Sequence, residues 1–389
     1  MRSVELFSGA GGLALGLEAA GFETVALVEW NRDACATLRA NRPAWNVVEG
    51  DLNTVCFSDY DKIDVVAGGP PCQPFSMGGK ARGYDDHRDM FPAAVSVVRT
   101  LRPKAFLFEN VRGLMRPAFK NYVEYIRLQL TYPDFPVSQN VSWDTNLARL
   151  QKHHTSTAAG ASLRYQVSIH EADAANFGVP QRRHRVFFVG FRSDIDAGWC
   201  FPPERTRHDQ LLIAQYVTGD YWEEHGMRKP ARVPEKLAKR VEELRNGLLF
   251  DDSRIGRWRT VRDAIRGLGN PSRTNRDTCH FFQPGARAYP GHTGSPLDEP
   301  AKALKAGDHG VPGGENMLRH SNGSVRYFSV RESARIQTFP DDWQFTGSWS
   351  EAMRQLGNAV PVNLAAEVAR SVARHLAQHG RRNSLQSTR

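Results

Sequence analysis

Over the first 190 residues, short apolar runs rich in β-branched and aromatic side chains alternate with stretches of helical periodicity. A chain encodes βαβ units with helices on both faces of a sheet in this way. Strands are predicted at 4–7, 24–30, 46–49, 63–67, 105–109, 165–171 and 185–191, with helices between most of them. From about 192 the alternation decays into proline-, glycine- and charge-rich sequence. One well-marked helix follows Pro234, where Leu237, Val241, Leu244 and Leu248 recur at helical spacing. Order returns near Val325, and 363–376 is again amphipathic. The pattern divides the chain into an α/β unit at 1–191, a smaller irregular unit at 192–325, a return segment at 326–379 that completes the first unit, and a disordered tail at 380–389.

Composition narrows the function classes. No stretch approaches the ~18 apolar residues of a membrane span, and the polar start Met1-Arg2-Ser3-Val4-Glu5 lacks a signal-peptide pattern. A cytoplasmic, soluble protein is expected. The five cysteines, Cys35, Cys56, Cys72, Cys200 and Cys279, form no Cys-x-x-Cys pair. Their odd number and scatter argue against a zinc site and a disulfide framework, so no metal is expected and a reducing compartment is implied. The net charge of +9 is uneven: residues 228–276 hold 14 Lys/Arg against 6 Asp/Glu. A polyanionic partner would explain that clustering, and so would a solvated basic helix surface.

Four places carry candidate chemistry. The run 4–7 leads directly into Ser8-Gly9-Ala10-Gly11-Gly12 and a helical pattern, which sets glycines at a strand-to-helix turn where backbone approaches a ligand closely. Taken alone, such a turn fits any nucleotide-like molecule. Glu29 ends the second strand, where an acid accepts from ribose hydroxyls, and Asp51 follows the third, in reach of an adenine amine. The apolar run 63–67 ends in Gly68-Gly69-Pro70-Pro71-Cys72-Gln73-Pro74-Phe75-Ser76, which puts one thiol on a proline-braced turn at the carboxyl end of a parallel sheet. An inert buried cysteine fits the local context about as well as a nucleophile. Phe106-Leu107-Phe108-Glu109 is a buried-strand pattern that ends in an acid, and Gln181-Arg182-Arg183-His184-Arg185 runs into a further apolar strand. Alternation along that strand makes Arg183 and Arg185 face one way.

Pro70-Pro71-Cys72-Gln73 resembles the signature of the cytosine-5 DNA methyltransferases, and five further blocks fit that family in the same order. They include Glu109-Asn110-Val111, the arginine block and Gln355-Leu356-Gly357-Asn358-Ala359-Val360-Pro361, and they cover roughly the first half and last sixth of the chain. The resemblance implies a Rossmann-like S-adenosylmethionine-dependent methyltransferase domain with a smaller, irregular target-recognition domain at 192–325. It implies that Cys72 adds to carbon 6 of a flipped-out cytosine in duplex DNA. Glu109 then shares a proton with ring nitrogen 3, and Arg183 and Arg185 hold the cytosine carbonyl oxygen and the Glu109 carboxylate. S-adenosylmethionine is expected at Phe7, Ser8, Gly9, Gly11, Gly12, Glu29, Trp30, Asp51, Leu52, Pro71, Phe91, Asn358 and Ala359.

DNA contacts are expected from Gln73, Ser76, Lys80, Arg82 and Asn110, with 75–88 as a glycine-rich, basic lid. Lys305, His309 and Glu315 are the candidate base readers in a glycine-rich segment. No residue announces itself as the acceptor of the carbon-5 proton. The implied context is a bacterial restriction-modification system and a monomer. The related transfer-RNA enzymes share these blocks but usually carry Cys-Phe-Thr, where this chain has Cys279-His280-Phe281. A catalytically inactive DNA-binding regulator fits less well, because the thiol, the acid and the cofactor turn are all present.

Overall fold

The computed structural model describes residues 1–71, 90–138, 140–156, 163–195, 198–247, 255–274, 279–306 and 316–386. All seven expected strands form, and they join one sheet. They are β1 (Arg2–Leu6), β2 (Glu23–Glu29), β3 (Val47–Glu49), β4 (Val65–Gly68), β5 (Ala105–Val111), β6 (Tyr165–Asp173) and, after the two-residue β7 (Gln181–Arg182), β8 (His184–Arg192). The sheet order is β3-β2-β1-β4-β5-β8-β6. Neighbours from β3 through β5 are parallel, and β8 alone runs against both β5 and β6.

The strand pattern assigns no direction to β8, and its reversal decides the site. Because β8 starts where β5 ends, Arg185 stands opposite Val111 and Phe187 opposite Glu109.

Helices cover both faces, as the near-continuous apolar character of the central strands requires. Phe106, Phe108 and Phe188 are fully buried under α3 (Phe91–Leu101), α4 (Lys120–Thr131) and α5 (Trp143–Ser156). Each such ring contributes roughly 1.5–3 kcal/mol by leaving water. On the opposite face lie α1 (Gly12–Ala19) and α2 (Arg32–Asn41), the latter started by Asn31, whose side chain accepts from the Ala34 amide.

The middle region is built from short pieces. They comprise β9 (Thr206–Arg207), α6 (His208–Leu212), α7 (Asp220–Glu224), α8 (Glu235–Gly247), β10 (Gly256–Arg257), α9 (Val261–Ile265), β11 (Ser295–Pro296), β12 (Ala301–Lys302), β13 (Met317–Arg319) and β14 (Val325–Tyr327). A small core of Leu211, Tyr221, Trp222 and Trp258 packs against Ala175, just beyond the end of β6. The strand β12 pairs with β7, so the middle region is stitched onto the arginine block. The expected helix after Pro234 is α8, with Val241 buried and Leu237 and Leu244 half-buried.

The return segment holds α10 (Val330–Ile336), α11 (Trp349–Asn358) and α12 (Val362–Gln386). A reciprocal cap between Ser329 and Glu332 starts α10. The last helix packs along α1 and continues to Gln386, so the tail expected to be disordered from Gly380 is helical over most of its length.

Candidate functional site

The carboxyl edge of the sheet gathers the ends of β1, β2, β4 and β5, the start of β8, and the corner between α11 and α12. At the end of β1 the backbone turns through positive φ at Phe7 (56°), Gly9 (53°) and Gly11 (87°) before α1 begins. Glycine adopts that geometry freely, whereas Phe7 bears a strain of about 1–3 kcal/mol, a cost typical of ligand sites. Glu29 braces the turn from the next strand: its carboxylate accepts from the Gly9 amide at 2.7 Å and the Asn31 amide at 2.8 Å. Beyond it, the Trp30 ring is 81% exposed. Asp51 is exposed and accepts from the Asn53 amide at 2.9 Å, capping a short helical turn, while Leu52 beside it is buried.

The far block reaches the same turn. The first residue of α1, Gly12, packs under the Val360 carbonyl, so closely that a Cβ there would stand 2.2 Å from its oxygen. Asn358 is the exposed last residue of α11, and Ala359 is buried next to it. By itself the block reads as a helix start; in the structure it also holds the end of the preceding helix. Phe91, expected over the cofactor, is fully buried and meets Phe188 edge-to-face.

One acid at this turn was not singled out in the sequence. Glu5 on β1 is buried, and its Oε2 has no hydrogen-bond partner among the described residues. Burial, and then the nearby Glu29, push its pKa well above the usual carboxyl range. A raised folded-state pKa means stability that is full below the ordinary carboxyl pKa and is lost as pH climbs from there through the raised value. Glu5→Gln should therefore flatten the loss of stability between weakly acidic and alkaline pH. Thermal melts of both proteins across that range check this, and parallel melting curves would show that Glu5 ionises freely.

At the catalytic edge, Glu109 and Arg185 are both almost buried, with Arg185 Nε 2.5 Å from Glu109 Oε1. The two form a buried ion pair at the end of β5. Burial raises the pKa of Glu109, opposed by the attraction of Arg185 and then Arg183. Gly69 closes over the carboxylate: a Cβ at that position would stand 3.3 Å from Glu109 Oε2. Asn110, expected at DNA, is buried and donates to the Pro70 carbonyl at 2.9 Å while its own Oδ1 receives the Val111 amide. It thereby ties the end of β5 to the proline turn.

Pro71 is the last described residue before Cys72, and its carbonyl receives the Met90 amide at 3.2 Å. Cys72, Gln73, Ser76, Lys80, Arg82 and the rest of the expected lid lie outside the described residues, as do His309 and Glu315. The other four cysteines sit elsewhere. Cys35 is buried, donates to the Glu29 carbonyl, and has its thiol pushed up to about 12 by burial and the neighbouring acids, which leaves it inert.

Arg183 and Arg185 both lie near enough to act on the Glu109 charge, but their hydrogen bonds differ. Arg183 falls at the break between β7 and β8, is 1% exposed, and donates to the carbonyls of Leu304 (2.8 Å) and Gly357 (2.6 Å). Asp173, which sequence reasoning missed, holds this block in place. Its Oδ1 accepts from the Arg183 and Ala175 amides and its Oδ2 from Arg182. The available signal was an aspartate at the head of a tight turn, where its side chain accepts from the Ala175 amide.

Lys305 has its backbone amide and carbonyl both held by the Asn316 side chain. Several cations of the basic stretch are paired, mostly with acids outside it: Arg240 with Asp209 and Glu243, Arg257 with Glu224 and Asp263, Arg262 with Asp298, and Lys236 with Glu299. Cations held this way are less available to phosphates than their number suggests.

Residues 1–374 match the family described as C-5 cytosine-specific DNA methylase. The type II methyltransferase M.NgoMIV of Neisseria gonorrhoeae is 34% identical over 379 residues, covering 96% of this chain and 97% of that protein. The type II methyltransferase M.Eco47II of Escherichia coli is 34% identical over 377 residues, covering 95% and 78%. Among solved structures, the S. pombe Dnmt2 methyltransferase shares the fold with a TM-score of 0.55 at 18% identity, covering 97% of this chain and 99% of that one. The Entamoeba histolytica methyltransferase EhMeth does so with a TM-score of 0.53 at 14% identity, covering 97% and 98%.

Proposed function

The chain belongs to the C-5 cytosine-specific DNA methylases and is a DNA (cytosine-5-)-methyltransferase, and from that premise we propose that it methylates one specific duplex sequence as the modification enzyme of a type II restriction-modification system. S-adenosylmethionine is the methyl donor in this reading. Support for the donor comes from the chemistry of the turn: two buried acids, one with an orphaned oxygen, beside open space at Gly9 and an exposed indole at Trp30. A glycine turn flanked by buried acids suits a ligand that carries an amine, a sulfonium and ribose hydroxyls. It does not suit a pyrophosphate. Glu29 and Asp51 would take the hydroxyls and the adenine amine, Trp30 the adenine face, and Asn358 the far side.

The observation that carries the reaction is the buried Glu109–Arg185 pair beside the turn that leads to Cys72. Carbon 5 of cytosine is too weak a nucleophile to accept a methyl group unaided. Addition of the Cys72 sulfur to carbon 6, with proton transfer from Glu109 to ring nitrogen 3, makes carbon 5 enamine-like. When bound, S-adenosylmethionine supplies an electrophilic methyl group. Loss of the carbon-5 proton then expels the sulfur and restores the ring. The raised pKa of Glu109 keeps its protonated form available above the ordinary carboxyl range, and Arg185 fixes the carboxyl group in place. The target base must leave the stack to reach both groups, at a few kcal/mol.

The test is methylation of a random duplex pool by the purified protein and S-adenosylmethionine, read by bisulfite sequencing, with single-stranded RNA of matching sequence in parallel. Methylcytosine at one recurring duplex sequence is expected. Modification of RNA alone, or of no cytosine, overturns the reading. Trp30→Ala should raise the KM for S-adenosylmethionine by about 5- to 150-fold, the span of a lost base–aromatic stack of ~1–3 kcal/mol. Since Trp30 is exposed, stability should not change; an unaltered KM would place the adenine elsewhere.

A further inference from the structure

We propose that Arg257, Arg259 and Arg266 form a seat for one phosphate of the duplex, and that the Glu224 carboxylate holds this seat until the phosphate displaces it. The proposal rests on the reading of duplex DNA as the substrate.

The three arginines line a hollow of about 250 Å³ in the middle region, together with two acids, Glu224 and Asp263. Arg257 ends β10, and Arg259 follows two residues later. Trp258 between them is buried, with its ring 5.0 Å from the Arg182 guanidinium and its Nε1 donating to Asn176 at 2.8 Å. Alternation in extended backbone therefore turns Trp258 toward the arginine block and its two neighbours away from it. Arg266 comes from the end of α9 and Glu224 from the end of α7.

The two acids are held differently. The Asp263 side chain is 8% exposed, and it accepts from both terminal nitrogens of Arg257, at 2.7 and 3.0 Å, and from the Thr260 amide, while also meeting the His225 ring. Burial pushes its pKa up, but Arg257 and then the Thr260 amide outweigh that and bring it down to about 2, so this acid stays charged and in place. The Glu224 side chain is 47% exposed, with one bond of 2.7 Å from Arg257 and a contact of 3.5 Å with Arg266. Arg259 is exposed and pairs with no acid among the described residues.

Three cations thus surround one replaceable carboxylate. Asp263 fixes the Arg257 guanidinium, which also lies 5.1 Å from the Tyr221 ring, and Arg259 and Arg266 bring two further forks of donors to the same hollow. A phosphate matches such an array better than a carboxylate, because it presents more acceptor oxygens to planar guanidinium groups. Exposed ion pairs exchange at little cost. Once Asp263 is set against Arg257, two arginine charges remain and Glu224 can balance only one of them. A salt bridge kept for stability alone needs one cation.

The experiment titrates the full chain with two fluorescent duplexes of equal length, one containing the preferred sequence and one lacking it, over a series of salt concentrations. Wild type is compared with Arg259→Ala, Arg266→Ala, the double variant and Glu224→Gln, and single-turnover methylation is measured at saturating preferred duplex. All three positions are exposed, so the variants should fold. Each arginine variant should weaken both duplexes by the same factor and flatten the slope of log K against log salt by about 0.9, the counterion release of one phosphate. The double variant should lose the same ~0.9 and no more, because both arginines serve one phosphate. Glu224→Gln should tighten both duplexes by up to about 5-fold, the equivalent of one exposed ion pair. Every variant should methylate saturating duplex near the wild-type rate, since the seat holds backbone rather than the target base.

A double variant whose slope falls by about twice as much has two separate phosphate contacts, which overturns the seat. Weaker or unchanged binding by Glu224→Gln overturns it too, as does weakening confined to the preferred duplex. If wild type methylates the duplex and no variant alters its binding, the seat falls and the substrate reading stands. If wild type binds neither duplex, both fall.

Discussion

Cys72→Ser is expected to abolish methyl transfer while leaving duplex binding intact, with a single-turnover rate at least roughly 10³-fold below wild type, as for removal of other catalytic nucleophiles. The thiolate is a far better nucleophile than a serine hydroxyl near neutral pH. No other thiol is placed to substitute: Cys35 is sealed against Glu29, and Cys56, Cys200 and Cys279 lie on other parts of the chain. The measurement is transfer of labelled methyl to duplex DNA beside a gel-shift titration of the same proteins. Comparable transfer by the serine variant would remove covalent addition from the mechanism.

Glu109→Gln should lower the single-turnover rate by about 10²- to 10⁴-fold, the usual contribution of a positioned acid or base. Glutamine keeps the volume and leaves Arg185 a neutral oxygen, yet it cannot give up a proton to the ring. Arg185→Ala should act at least as strongly on the rate and should also destabilise the fold. Removing one partner strands the other charge in a buried site, an effect of about 3–5 kcal/mol where both are fully enclosed. The pH dependence separates the two roles. Because the Glu109 pKa is raised, the wild-type rate should hold above the ordinary carboxyl range and fall as pH rises through the raised value. That limb should be missing in Glu109→Gln. A glutamine variant with both the wild-type rate and the wild-type pH profile would mean that another group protonates the ring.

Much of this was legible in the chain because it is local. Seven strand patterns predicted seven strands, and the glycine turn follows β1 as its position implied. Glu109 lies near the end of the strand whose continuous apolar run pointed to it. Local signals also erred in informative ways. The polar, basic end of the chain lacks the composition of a core, yet the helix that packs on α1 carries it onward to Gln386. In the basic stretch, which charge count reads as facing a polyanion, folding also pairs Lys236 with Glu299 and Arg240 with Asp209.

The sequence by itself determined which residues can do chemistry and on which kinds of element they sit, since strand and helix periods and turn residues act over a few neighbours. Tertiary structure alone decided the direction of β8, which brings Arg185 to Glu109, and the diversion of Arg183 to two distant carbonyls. It alone left Glu5 with an orphaned oxygen and made Asn316 the partner of Lys305. Strand direction and the choice of a buried polar group's partner depend on which remote segments pack together, and no period along the chain encodes that.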